Sequence, residues 1–153
     1  TMVLLAGVLA LLGTSLVISE TLFAALQWAD DFTARQIHAG IAYWLLAIVA
    51  VHLGLRWPLL MAVTSKLLGI KKPNAVRTAV LRLVAIGIAV QGVYSAGALN
   101  LRSRLLFQMS LDWWNFEESV AGFFGHCSAF AGLCMFVTYY AVQWQLSYKR
   151  KSY

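Results

Sequence analysis

Three histidines, His38, His52 and His126, are the residues of this chain whose type and setting could carry chemistry. His38 and His52 lie in the stretch from Gln36 to Trp57, an otherwise apolar segment long enough to cross a bilayer. Fourteen helical steps separate them, so they return to within about 40° of one face and stand about 21 Å apart along the axis. Ionisable side chains inside a membrane segment are costly and mark a pathway or a cofactor. Two on one face at this separation suggest stacked sites. Haem suits the spacing better than a bare metal ion, because its iron takes axial imidazoles from facing helices whereas structural zinc needs four close ligands.

The elements that must position them are membrane helices. Of 153 residues, 61% are hydrophobic and 12% charged. Predominantly apolar runs extend over about Met2 to Leu26, Gln36 to Leu60, Ala79 to Leu99 and Val120 to Trp144. Each reaches or approaches the roughly 20 residues a spanning helix needs, and none alternates as barrel strands do. The expected fold is an all-α integral membrane four-helix bundle, one domain over residues 1–153. The first run has no Lys or Arg ahead of it and carries Glu20 where a small-residue cleavage site would sit. It is read as a retained helix of a sequence trimmed at its start. Glu20 is expected to reach water or to pair with Arg35, and Trp28 to sit at the outer interface.

The net charge of +6 gives the expected topology. Arg56, Lys66, Lys71, Lys72 and Arg77 follow the second run, and Lys149, Arg150 and Lys151 end the chain, whereas the other two connections have no basic excess. By the positive-inside rule both termini are cytoplasmic. The basic residues sit where topology requires them, so nucleic acid is not an expected partner. Segments at about 58–73 and 100–114 mix apolar and charged residues and are expected to lie at the membrane surface; the second also offers a docking platform. Cys127 and Cys134 are seven apart on one helix, about 10.5 Å by rise, too far for a disulfide.

An internal repeat bears on the histidines. With His126 laid on His38, Tyr140 falls on His52, and Ser95 near the end of the third run answers Ser19 of the first. The chain reads as two repeated helical hairpins. On this alignment His38 and His126 share a depth near the outer face and could clamp one haem between the second and fourth helices. At the inner level only His52 remains, facing Tyr140. Arg35 lies three residues before His38 and Arg56 four after His52, each on its histidine's side of the helix and able to pair a haem propionate; interfacial anchoring explains them equally well. Gly40, Gly54, Gly125 and Gly132 let a porphyrin or simply another helix approach.

Two histidines fourteen apart on a membrane helix, answered by one on another, resemble the di-haem b-type membrane cytochromes. The sequence His-Leu-Gly-Leu-Arg-Trp at 52–57 and Tyr-Ser-Ala-Gly at 94–97 resemble more narrowly the flavinylation-associated cytochromes of bacteria. That resemblance covers most of the chain. It implies haem b, bis-histidine ligation through His38, His52 and His126, and electron transfer through the bacterial cytoplasmic membrane to an external flavin- or haem-bearing partner. Tyr140 departs from a four-histidine pattern, which leaves one or two haems open. A quinone could serve as electron donor, although no motif for it is present.

The expected function is thus a membrane b-type cytochrome subunit carrying electrons between the quinol pool or an inner-side donor and other redox subunits, as part of an oxidoreductase complex. No Ser/His/Asp set, phosphate-binding glycine loop or Glu-x-x-His pair is evident. The rival readings are a haem-free structural anchor of a redox complex and a small proton-coupled transporter. Few intramembrane acids and no broken helices speak against the transporter.

Overall fold

The computed structural model describes residues 2–19, 31–69, 74–108 and 114–151. Glu20, Trp28, Lys71 and Lys72, to which expectations were attached above, lie outside the described residues. The helices are α1 Met2–Ile18, α2 Asp31–Leu55, α3 Trp57–Leu67, α4 Ala75–Ala98, α5 Leu101–Leu105 and α6 Val120–Lys151. No strand occurs among the described residues.

Three helical spans, Phe32–Leu55, Ala75–Ala98 and Val120–Arg150, are long and apolar enough to cross a membrane, and they mark the chain as an integral membrane protein. α1 is equally apolar but covers 17 residues. The expected continuation of the first run to Leu26 lies outside the described residues. Large apolar side chains face outward along the spans, Leu83 68% and Val90 67% exposed among them. Such a surface is stable against acyl chains, which are as apolar as the side chains themselves.

Helix ends follow local chemistry. The Asn74 side chain accepts from the backbone N–H groups of Val76 (2.9 Å) and Arg77 (3.4 Å), so α4 begins at Ala75 rather than Ala79. α2 likewise starts earlier than Gln36, and it ends at Leu55, where the chain turns at Arg56 into α3. Pro58 sits in the first turn of α3, where its missing N–H costs nothing. Gly69, at φ +63°, follows that helix in the left-handed conformation glycine tolerates.

Packing runs in a row: α1 against α2, α2 against α6, α6 against α4. α2 and α6 point the same way, since Tyr43 shares a buried cluster with Phe130 and Cys127 while Gly54, further along α2, abuts Met135 and Thr138. Tyr43, Ala50 and Gly54 recur at helical spacing and form the α6-facing stripe of α2. α1 runs antiparallel to α2, with Gly7 beneath Leu45 and Thr14 beside His38. α4 runs antiparallel to α6, with Ile88 over Gly132, Gly92 against Ala129 and Leu133, and Ser95 beside His126.

The connection after α4 folds onto the core. Leu99 and Leu101 are buried with Tyr43 and Phe130, and the Arg104 guanidinium lies 5.8 Å from the Tyr43 ring centre. The Trp44 indole N–H donates to the Leu105 carbonyl at 2.9 Å, and the Gln36 amide donates to the Phe107 and Gln108 carbonyls. Phe107 takes φ +52°, unusual for an aromatic residue, and its ring covers Gly40. A β-carbon at Gly40 would collide with that ring.

Gly92 offers a direct test of the α4–α6 seam. A β-carbon there would stand 2.5 Å from the Ala129 carbonyl oxygen and 2.6 Å from Leu133 Cβ, whereas one at Gly97 would meet nothing within 4 Å. Gly92→Ala is expected to destabilise the fold by about 1–3 kcal/mol through overpacking, and Gly97→Ala to leave it unchanged or slightly stabilised. Reversible unfolding in mixed micelles reads both.

Candidate functional site

His38 and His126 are held in matching ways. His38 Nδ1 lies 2.8 Å from the Thr14 hydroxyl of α1, and His126 Nδ1 lies 2.8 Å from the Ser95 hydroxyl of α4. In each case the hydroxyl comes from the preceding helix of an antiparallel pair. Ser95 is 0% exposed, the one fully buried polar side chain among the described residues. With Nδ1 engaged in both rings, Nε2 is the nitrogen left for other chemistry, the arrangement in which a second hydrogen bond orients a metal-binding imidazole.

His126 has an aromatic setting. The Trp114 ring meets it edge-on with centroids 5.4 Å apart, and the Tyr94 ring lies tilted at 5.9 Å. Trp114 is itself anchored, its indole N–H donating to the Ser119 carbonyl at 2.8 Å. Tyr94 and Ser95 are adjacent in α4 and both reach the same imidazole, so the first two residues of Tyr-Ser-Ala-Gly act on one ring.

His38 borders a cleft of about 470 Å³ between α1 and α2, lined by Ser15, Ile18, Ser19, Arg35 and Ala39 as well. Arg35 therefore shares a cavity with His38, as its three-residue spacing predicts. The cleft combines an imidazole, a guanidinium and two hydroxyls with an apolar wall. Its size falls within the range of small-molecule sites.

Ser19, the residue that the repeat pairs with Ser95, lines this cleft, but Thr14 makes the contact to His38. The register explains this difference. Thr14 and Gly7 on α1 step by seven against His38 and Leu45 on α2, as two antiparallel helices of like pitch must. His52 is exposed and has no hydrogen bond among those described. Tyr140 packs on Phe136 (4.6 Å) and Tyr139 (5.2 Å), with no described contact to His52. Arg56 lies exposed in the α2–α3 turn.

His38 thus sits in the α1–α2 seam and His126 in the α4–α6 seam, on the two helices that form the centre of the row. No group of three or more metal-binding side chains occurs among the described residues. Cys127 and Cys134 are free thiols packed around the Tyr43 cluster, in keeping with their spacing. The spacing of the histidines does not point to Thr14, whereas Tyr94 stands in the Tyr-Ser-Ala-Gly stretch and Trp114 in the apolar connection at 100–114. A hydroxyl in an otherwise apolar helix was the available signal for Thr14, but its helical register against His38 was not.

No known protein family, curated protein or solved structure matches the chain.

Ser95→Ala is expected to remove the buried hydrogen bond to His126 and lower stability by about 1 kcal/mol, the usual size of an interhelical polar contact in a membrane. Unfolding in mixed micelles checks it, with the 2.8 Å contact predicting a smaller loss for Ser95→Thr.

Proposed function

We propose that this chain is a membrane-embedded b-type cytochrome subunit that passes single electrons to redox partners. The observation that supports it is the pair of matching hydroxyl contacts, each engaging the Nδ1 of a membrane histidine and leaving Nε2 to face a ligand.

The donor set suits haem b. His38 and His126 would hold the iron as axial ligands, and Arg35, in the same cleft as His38, would neutralise a propionate. His52 and Arg56 form the corresponding pair toward the other end of α2, for a second haem whose further ligand this chain or a partner subunit would supply. Haem supplies one-electron chemistry at its iron. The chain's own residues orient the ligands, exclude water and set the polarity around the group. Trp114 and Tyr94 cover His126 with apolar ring surface, and Ser95 holds its orientation.

In this reading the four apolar helices form a bundle of two related hairpins in a bacterial cytoplasmic membrane, with both termini inside. The electron donor is the quinol pool or an inner-side protein, and the acceptor an external flavin- or haem-bearing subunit. The exposed apolar residues of α3, Leu59, Leu60, Met61 and Val63, suit a segment lying in the inner interface.

His38→Ala and His126→Ala are each expected to abolish the same haem signal, and Tyr140→Phe to leave it intact. Reduced-minus-oxidised spectra of detergent-purified protein, with haem extracted and counted per chain, test this. Full haem content in both alanine variants would overturn the assignment.

A further inference from the structure

The proton on the Thr14 hydroxyl has a place to go other than His38. Thr14 Oγ1 lies 2.9 Å from the Ala10 carbonyl oxygen and 3.1 Å from that of Leu11, in the geometry of a hydroxyl donating back to the preceding helical turn. A threonine hydroxyl has one proton to donate and two lone pairs to accept with. Once the proton is given to α1's own backbone, the 2.8 Å contact to His38 must be one in which the hydroxyl accepts and Nδ1–H donates. Neutral imidazole carries a single N–H, so Nε2 then bears the lone pair.

We infer that Thr14 is a positioning residue that holds His38 as its Nδ1–H tautomer and so presents the Nε2 lone pair for coordination. The chain of donors runs in one direction, from the His38 N–H to the Thr14 oxygen and from the Thr14 O–H to the backbone of α1. No charge is created, and neither the His38 N–H nor the Thr14 O–H is left without an acceptor in an apolar setting, where an orphaned donor is costly. His126 differs. Its hydroxyl partner, Ser95, has no second described acceptor, so the Ser95 proton is available to Nδ1 and the same count does not fix that ring. The two histidines match in geometry and differ in how firmly their tautomers are set.

The tautomer itself does not depend on haem, whereas the consequence for affinity rests on the ligand reading of His38 above. Both are measurable in the full chain. Protein labelled with 15N-histidine and prepared without haem in micelles, at a pH where the rings are neutral, reports the tautomer from its ring nitrogen shifts. His38 signals are identified by their loss in His38→Ala. Wild type and Thr14→Ser are expected to show Nδ1–H at His38, and Thr14→Val, which keeps the shape and removes the hydroxyl, to lose that preference. Haemin titrated into the same samples is expected to bind about 10–100-fold more weakly to Thr14→Val, with Thr14→Ser restoring affinity. A wild-type ring carrying Nε2–H, or an unchanged tautomer in folded Thr14→Val, would overturn the inference. Absence of haemin binding in wild type with the expected tautomers would overturn the haem reading alone and leave the role of Thr14 standing.

Discussion

A hydrocarbon layer offers no water to hydrogen-bond a polar atom, and much of this structure is shaped by that lack. Helices satisfy the backbone internally. The imidazoles at positions 38 and 126 are satisfied from the neighbouring helix, by Thr14 and Ser95. Thr138 and Thr64 return their hydroxyl protons to their own helices, and the Trp44 and Gln36 side chains reach backbone carbonyls of the segment that follows α4. The contacts of Thr14, Ser95, Trp44 and Gln36 tie one piece of chain to another, alongside the close backbone packing that sets the register.

Close approach supplies the complementary part. Where helices touch, a glycine commonly sits under a larger partner: Gly7 under Leu45, Gly132 under Ile88, Gly54 against Met135 and Thr138. Dispersion between backbones replaces the hydrophobic effect as the source of cohesion inside a membrane, and it grows as the helices come nearer. The α1–α2 seam takes its glycine from α1, whereas the α4–α6 seam takes one from each member, Gly92 of α4 and Gly132 of α6. The two seams are alike in their polar contacts, Thr14 to His38 and Ser95 to His126, and differ in how their glycines are distributed.

This arrangement gives the two ends of α2 different characters. At His38 the imidazole, Arg35 and the hydroxyls of Ser15 and Ser19 converge on one cleft beside a neighbouring helix. His52, further along α2, is exposed and has no hydrogen bond among those described.

The sequence by itself determined that the chain is helical and that its spans suit a membrane, and it singled out His38, His52 and His126 as candidates for chemistry. Those properties follow from composition and from the helical period, which fix which residues share a face. It also carried the parallel sense of α2 and α6 through the repeat that lays His126 on His38. Tertiary structure alone decided which hydroxyl meets which imidazole, because the register between antiparallel helices depends on where backbones pack closest rather than on residue spacing. It placed Thr14 instead of Ser19 at His38, brought Trp114 and Tyr94 to His126, and left Tyr140 on Phe136 and Tyr139 instead of His52. A periodicity argument operates within one helix. The contacts that tune a histidine lie between helices, and only the folded chain brings them together.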